Sequence, residues 1–275
     1  MKFCLSTFSE VDAALLGTGR ILIATDFDGT LCPIAETPSA VSVSPGTLET
    51  LRHLAACRRL SLAVISGRAL ADIQERLPLD VVFAGNHGLE IGGRGLSFTH
   101  AGARQLRSSL VAACEALTAG LHQWPAAWIE DKGMSATLHF RNVDQRHHRS
   151  LLFAARRCLG AVGSQLSLRV GNRALELRPK VQWDKGSALE YIRENTGPFQ
   201  TCICLGDDGT DESMFRANPG QLNIRVGRCR GSSATHYLSD PSEVAILLSH
   251  IADRCAAELR PEGSPRFALT HTAAL

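Results

Sequence analysis

The chain has 275 residues, and its 29 Lys and Arg against 27 Asp and Glu give a formal net charge of +2, which offers no reason to expect a nucleic-acid or membrane surface. Hydrophobic residues make up 44% and charged residues 20%, as in a globular protein with a real core, and this length favours two domains. The nine cysteines lack paired CxxC spacing, so we expect reduced thiols. We recognise neither a signal peptide nor a run of roughly 20 apolar residues, and therefore expect a cytoplasmic protein with no membrane or nucleic-acid partner.

The first predicted element is a buried strand at 21–25, ILIAT, followed at once by Asp26, Asp28 and Gly29. Ligands of open α/β sheets bind beyond the carboxyl ends of strands, so both carboxylates lie where chemistry is expected. Two negative charges roughly 4 Å apart repel by about 4 kcal/mol at an effective dielectric constant of 20. The pair therefore implies a cation, a shared proton, or both.

Helices and apolar strands then alternate. Ser44 and Pro45 are expected to begin a helix, and the strand at 60–66 ends at Ser66. A further helix follows this strand, and a third strand covers 80–85. This spacing predicts a parallel sheet wrapped by helices.

From about residue 90 to residue 180 the pattern changes to helix, hairpin, helix, hairpin. The first hairpin turns around Lys132 and Gly133, and the second around Gly171 and Asn172. We interpret this region as an inserted α+β cap domain over 99–180, with a catalytic core made of 1–98 and 181–275.

The alternation of helices and strands resumes at Asp184, a predicted N-cap for a helix that ends at Gly197. A buried strand at 201–206, a strand at 222–227 and a closing helix through Ile251 follow. The tail from Arg260 onwards is expected to be frayed.

A second acidic cluster, GDDGTDE at 206–212, follows the strand at 201–206. Asp and Gly are ordinary turn residues, so a purely structural turn or cap is the alternative for one such cluster. Two clusters at strand ends, together with Ser66 and Lys185, indicate a single site instead. Oxygen ligands of this density favour Mg²⁺ over zinc, and neither cluster has the alternating ligands of an EF-hand loop.

Four segments, DFDGTL, VISGR, a distant Lys and GDDGTDE, resemble the motif pattern of the haloacid dehalogenase superfamily. The segments AGNHGLE, IEDKGMSATLHFR, ELRP and KGSAL resemble the trehalose-6-phosphate phosphatase family, and the resemblance runs from about residue 20 to residue 248. It implies an α/β fold with a Rossmann-like parallel-sheet core of the haloacid dehalogenase type and an inserted α+β cap. One departure is Phe140, where the family commonly has Tyr.

The resemblance also implies catalytic, phosphate-binding and metal-binding roles for individual residues. Asp26 would be the nucleophile that forms an aspartyl phosphate, and Asp28 would protonate the departing sugar oxygen and then activate water. Ser66 and Lys185 would hold the phosphate oxygens. The predicted Mg²⁺ would be bound by Asp26, the backbone carbonyl of Asp28 and Asp207, with Asp208 and Asp211 completing or orienting its ligand shell.

The cap is expected to select the sugar. Glu130 and Lys132 lie on one face of a strand, and His139 and Arg141 on the same face of its partner, although spacing alone favours a solvated face with salt bridges. The family pattern favours sugar binding. Further candidates for the cleft are Glu176, Asn86, His87 and Glu90. For Arg68 we leave two alternatives open, contact with the ligand or pairing with a core carboxylate.

The function implied is hydrolysis of trehalose 6-phosphate in trehalose biosynthesis, on a substrate supplied by a separate enzyme because no synthase-like domain precedes this region. The alternatives are a phosphatase for sucrose 6-phosphate or mannosyl-3-phosphoglycerate, a mutase, and a catalytically silent sugar-phosphate sensor. The only expected partner is a small sugar phosphate. Oligomeric state is left open, with a monomer favoured.

Overall fold

A computed structural model describes residues 1–162, 165–171 and 173–258 of the chain. Within this part the strands and helices are, in chain order, β1 (Lys2–Phe3), α1 (Phe8–Leu15), β2 (Ile21–Thr25), α2 (Pro45–Ala56), β3 (Leu60–Ile65), α3 (Leu70–Arg76), β4 (Val82–Gly85), β5 (Glu90–Gly93), β6 (Leu96–Thr99), α4 (Ala101–Gln105), α5 (Arg107–Gly120), β7 (Trp128–Asp131), β8 (Ala136–His139), α6 (His148–Val162), β9 (Leu166–Val170), β10 (Ala174–Pro179), α7 (Lys185–Thr196), β11 (Thr201–Gly206), α8 (Glu212–Arg216), β12 (Leu222–Val226), β13 (His236–Leu238) and α9 (Pro241–Glu258). Short 3₁₀ turns connect several of them.

The large sheet has the strand order β1-β13-β12-β11-β2-β3-β4-β5-β6. Every pairing from β1 through β4 is parallel, and β2 lies at the centre between β11 and β3. All residues of β2 are buried, as expected for an apolar strand covered by helices on both faces. The predicted parallel α/β core is confirmed. The carboxyl ends of β2 and its neighbours form the edge where ligands bind in such sheets.

The segment after β4 differs from the sequence prediction. Residues 90–98 were assigned to the core, but no strands were predicted there: β5 pairs antiparallel with β4, and β6 with β5, so this hairpin extends the core sheet. Its turn contains Gly93 and Gly95, whose φ angles of 100° and 83° lie in the left-handed region. The hairpin was missed because its strands are short and β5 contains two glycines. The elements β1 and α1 were likewise not predicted.

The small sheet has the order β7-β8-β10-β9, with antiparallel pairing throughout, so both predicted hairpins are confirmed. Its apolar face, which includes Leu138 and Leu175, packs with residues of α5 and α6 such as Leu117 and Leu151. At the second hairpin the Gly171 N–H donates to the Ala174 carbonyl at 2.9 Å. Asn172, predicted to be part of that turn, lies outside the described residues.

The predicted helix N-caps are confirmed. The Ser44 hydroxyl accepts a hydrogen bond from Thr47 N at 3.1 Å, and the Asp184 carboxylate accepts one from Ser187 N at 3.0 Å. Among the helices described, none has both the length and the apolar character needed to cross a bilayer. The tail from Arg260, predicted to be frayed, lies outside the described residues. The domain boundaries at 98 and 181 stay a prediction.

Candidate active site

Carboxylates and a buried lysine meet beyond the carboxyl ends of β2 and β11. Asp26 directly follows β2, Asp211 directly precedes α8, and Lys185 is the first residue of α7. The Lys185 ammonium lies 2.9 Å from Asp26 Oδ2 and 2.7 Å from Asp211 Oδ1, and Lys185 is only 1% exposed. The fold therefore brings together residues from three separate parts of the chain, as the sequence predicted for Asp26, Lys185 and Asp211.

The electrostatics of this cluster are dominated by burial and by excess negative charge. Burial and the neighbouring carboxylates raise the pKa of Asp26 well above its usual range, and raise the pKa of Asp207 to about 7. Burial alone would lower the pKa of Lys185, but Asp211 and Asp26 together raise it. One lysine thus compensates only part of the charge of the carboxylates around it.

The arrangement fits a divalent cation. Carboxylate oxygens of Asp26, Asp207 and Asp211 all lie within 4.8 Å of one another, and such hard oxygen donors suit Mg²⁺, Ca²⁺ or Mn²⁺. Gly29, with a φ of 79°, lets the loop after β2 approach this cluster, since a Cβ there would lie 2.3 Å from Asp207 Oδ2. The Thr30 hydroxyl also donates to Asp207, at 3.4 Å.

Two of the predicted metal residues direct their carboxylates elsewhere. Asp208 Oδ1 accepts hydrogen bonds from the backbone N–H and the hydroxyl of Thr210, both at 2.6 Å, and so closes its own loop. The Asp28 carboxylate is bound by Arg68. Hence only the backbone carbonyl of Asp28, which the sequence analysis named as the ligand atom, remains a candidate there.

Arg68 pairs with core carboxylates, the second of the two alternatives. Its Nε lies 2.6 Å from Asp28 Oδ2, its Nη2 lies 2.7 Å from Asp28 Oδ1, and its Nη1 lies 2.8 Å from Asp72 Oδ2. This two-point contact fixes the orientation of the Asp28 carboxylate. Asp72 was not singled out from the sequence, although its position four residues after Arg68, near the start of a helix, was the available signal.

Ser66 lies buried at the end of β3, next to the acidic edge. Its hydroxyl accepts a hydrogen bond from Arg68 N at 3.2 Å, and its carbonyl accepts one from His87 N at 2.8 Å. Its position is therefore fixed by the turn that follows β4.

That turn connects the core to the small sheet. Asn86 and His87 have φ angles of 51° and 58°, which non-glycine residues rarely adopt. The buried Asn86 amide donates to Glu90 Oε2 at 2.7 Å and to the Lys132 carbonyl at 3.0 Å, and its oxygen accepts from Ser135 Oγ at 2.6 Å. Asn86 thus binds the β7–β8 turn directly.

His87 also connects the core to the small sheet. Its Nε2 lies 2.8 Å from Glu176 Oε1 and also contacts the Arg178 guanidinium. Burial lowers the pKa of His87 to about 4, although Glu176 acts in the opposite direction. Burial would raise the pKa of Glu176, but His87 and Arg178 lower it further than burial raises it. Arg178 was overlooked in the sequence, yet it lies two residues after Glu176 on the same strand face.

The polar face of the small sheet carries the remaining predicted residues. Glu130 Oε2 lies 2.7 Å from His139 Nε2 and 4.0 Å from Lys132 Nζ. Lys132 Nζ also donates to the Gly67 carbonyl at 3.2 Å, and Arg141 Nη1 donates to the Ala35 carbonyl at 3.0 Å. The face is therefore directed at the core. Three of the four predicted side chains converge, while Arg141 reaches the loop after β2.

Comparison with known proteins identifies the family. Residues 24–242 match the trehalose-phosphatase family. A relative described as an uncharacterized glycosyl hydrolase from Mycobacterium tuberculosis is 36% identical over 261 residues, which is 90% of this chain but 19% of that protein. A probable trehalose-phosphate phosphatase 4 from Oryza sativa is 30% identical over 262 residues, or 90% of this chain and 70% of that protein. The chain thus spans about a fifth of the length of the mycobacterial relative.

Solved structures share the fold. A trehalose-6-phosphate phosphatase related protein aligns with a TM-score of 0.77 at 25% identity, covering 86% of this chain and 99% of that one. A haloacid dehalogenase-like hydrolase from Bacteroides thetaiotaomicron aligns with a TM-score of 0.59 at 17% identity, covering 84% and 99%. At 17% identity, the second alignment bears on the fold alone.

Proposed function

The chain belongs to the trehalose-phosphatase family, and we propose that it hydrolyses trehalose 6-phosphate to trehalose and inorganic phosphate with Mg²⁺ as its cofactor. The observation that carries this proposal is the buried cluster in which Lys185 contacts both Asp26 and Asp211 beyond the end of β2. Such a cluster provides a nucleophile, a fixed cation and metal-binding oxygens at one point.

Asp26 acts as the nucleophile in the proposed mechanism. Its carboxylate oxygen forms a bond to phosphorus while the bond between phosphorus and the sugar oxygen breaks, and Asp28 gives a proton to that oxygen. Water then attacks the aspartyl phosphate, loses a proton to Asp28 and releases phosphate. Arg68 holds the Asp28 carboxyl group in a fixed orientation by two contacts, which positions it for both proton transfers.

Lys185 and Ser66 hold the phosphate oxygens, since both lie buried at the carboxyl-terminal edge of the core sheet. The Mg²⁺ would be held by Asp26, Asp207 and Asp211 with the backbone carbonyl of Asp28, while Asp208 orients its loop. A bound Mg²⁺ would offset the charge that otherwise keeps an anionic nucleophile from an anionic phosphate.

The sugar is recognised by the polar face of the small sheet. Glu130 already contacts both Lys132 and His139 there, and Glu176, Arg141, His87 and Asn86 line the junction with the core. In this proposal residues 99–180 form a cap over a core of 1–98 and 181–275, and the cytoplasm is the proposed location.

Phosphate release by purified protein tests the proposal. Trehalose 6-phosphate, sucrose 6-phosphate and p-nitrophenyl phosphate are compared with Mg²⁺ and with EDTA, for the unchanged protein, Asp26→Asn and Asp80→Asn. Asp80 is 82% exposed at its side chain and serves as the matched control. We expect turnover of trehalose 6-phosphate that EDTA and Asp26→Asn abolish and that Asp80→Asn preserves. Full activity in Asp26→Asn would contradict the aspartyl-phosphate mechanism, and tight binding without turnover would indicate a sensor.

A further inference from the structure

Trp128, the first residue of β7, is a large aromatic side chain that remains 48% exposed. Its ring stacks on the imidazole of His139, with the centroids 4.3 Å apart and the planes 19° from parallel. His139 is in turn fixed by its contact with Glu130 at 2.7 Å. The structure therefore presents a flat, supported aromatic surface to solvent.

This surface lies on the face of the small sheet that covers the core. Trp128 is directly opposite His139 in the β7–β8 register, and it lies two residues from Glu130, so the three share one face. The other face carries apolar residues such as Leu138, which pack with α5 and α6.

Two contacts with the core bracket Trp128 along the hairpin. Lys132 reaches the Gly67 carbonyl on one side, and Arg141 reaches the Ala35 carbonyl on the other. The ring of Trp128 therefore belongs to the wall of the cleft between the small sheet and the core.

The position along β7 separates Trp128 from the phosphate end of the cleft. Lys132 contacts Gly67, which is adjacent to Ser66, and Trp128 lies four residues away along the strand. At about 3.3 Å per residue, this offset is about 13 Å. A single sugar ring with its phosphate is too short to cover that distance, whereas a disaccharide phosphate reaches it with its second ring.

We propose that Trp128, supported by His139, binds the sugar ring remote from the phosphate by stacking on its apolar C–H face. The indole offers a large rigid contact area of this kind. Trp128 is thus a determinant for disaccharide phosphates over smaller phosphate esters. The inference rests on the proposed function and extends it to a residue outside the motifs that indicated the family.

The ratio of kcat/KM values for two substrates tests this proposal. We compare kcat/KM for trehalose 6-phosphate with kcat/KM for p-nitrophenyl phosphate in the unchanged protein, Trp128→Ala, Trp128→Phe and Phe153→Ala. We expect Trp128→Ala to lower the ratio about tenfold, mainly through KM, and Trp128→Phe to restore most of it. Phe153, 64% exposed on α6, is the matched control and should leave the ratio unchanged.

A binding measurement without turnover accompanies the kinetics. Trehalose 6-phosphate should quench the tryptophan fluorescence of Asp26→Asn, and this quenching should disappear when Trp128→Phe is added. An unchanged ratio in Trp128→Ala, whether both kcat/KM values stay the same or fall equally, would overturn the role of Trp128 and leave the proposed function intact. Release of phosphate from p-nitrophenyl phosphate but not from trehalose 6-phosphate by the unchanged protein would instead overturn the proposed function and this inference with it.

Discussion

Lys185 is a buried cation whose partners are themselves buried carboxylates. Burial of any one of these charged groups without the others would be strongly unfavourable. The charges are tolerated in the core because they pair with one another. Asp211 is fully buried and also accepts hydrogen bonds from the backbone N–H groups of Asp207 and Asp208. The lysine therefore orients the acidic loop as well as Asp26.

Replacement of this lysine should disable the enzyme. Lys185→Met removes the charge that faces Asp26 and Asp211, and loss of one preorganised electrostatic contact typically lowers kcat about 100-fold or more. Steady-state phosphate release measures the effect. Lys2→Met, at an exposed lysine that pairs with Glu10, is the matched control and should retain full kcat. A Lys185→Met enzyme within a few-fold of the unchanged protein would contradict the assigned role.

Arg68 gives a prediction about stability. Its guanidinium holds Asp28 and Asp72 at once and is 10% exposed at the side chain, so Arg68→Ala leaves both carboxylates without this partner. We expect a loss of about 2 kcal/mol in the free energy of unfolding, and a smaller loss in Arg68→Lys, which keeps the charge but not the fork geometry. Urea denaturation measures both. Equal stability of Arg68→Ala and the unchanged protein would show that the pair contributes nothing.

The same residues show where sequence reasoning reaches its limit. The motifs place Asp26, Asp207 and Lys185 correctly, because residues at strand ends and helix starts follow directly from the pattern of the elements. Whether Arg68 faces a ligand or Asp28 depends on side-chain packing between separate segments. Spacing along the chain carries no such information. The orientation of the Asp208 carboxylate could not be predicted for the same reason.

At the scale of elements, the turn after β4 connects the core to the small sheet. Its left-handed residues Asn86 and His87 hold backbone conformations that cost free energy, and contacts with the small sheet offset that cost. Docking of the small sheet and the conformation of this turn are therefore coupled. A change in the charge of His87 should affect both.

The pH dependence of stability tests this coupling. The pKa of His87 is about 4 in the folded protein and near 6.5 when unfolded, so the unfolded chain binds more protons between these values. Stability is then complete above pH 6.5 and is lost as the pH falls towards 4, by about 2 kcal/mol between pH 7 and pH 5. Urea denaturation at several pH values measures the loss.

His87→Asn should flatten this dependence, since asparagine tolerates the left-handed backbone and does not titrate. His53→Asn, at a histidine with a 69% exposed side chain, is the matched control and should keep the full dependence. Identical pH profiles for His87→Asn and the unchanged protein would show that His87 is not the group responsible.

Elements with a strong periodic pattern could be predicted, and weakly patterned ones could not. The apolar run of β2 and the alternation in β10 identify a buried strand and a two-faced strand respectively. The β5–β6 hairpin has four residues per strand and three glycines in and around its turn, so its pairing depends on the exposed edge of β4 rather than on its own pattern.

At the scale of the whole molecule, the acidic cluster couples metal binding to folding. Asp26, Asp207 and Asp211 repel one another at the junction of β2, β11 and α8, so the metal-free fold carries a local electrostatic cost. A bound cation relieves this cost only in the folded state. The stability of the entire chain should therefore depend on the metal.

A thermal shift measures this dependence. The proposed cation Mg²⁺, at about 100 times its Kd, should stabilise the folded state by about 2.7 kcal/mol, which for a protein of this size should raise Tm by about 5 °C or more relative to EDTA. Asp207→Asn should abolish the shift because it removes one of the three carboxylates, and Asp80→Asn should preserve it. A shift of equal size in Asp207→Asn would place the cation elsewhere.

The separation of the site residues along the chain has a consequence for synthesis on the ribosome. Thr30 and Asp207 are in contact although they are 177 positions apart, and their strands β2 and β11 are direct neighbours in the sheet. The small sheet is encoded between them, so a nascent chain has completed it before β11 can join β2. Nascent chains that end before β11 therefore contain the sequence of the whole small sheet but lack the acidic loop after β11, and the cluster of Asp26, Asp207 and Asp211 can form only once that loop has been synthesised.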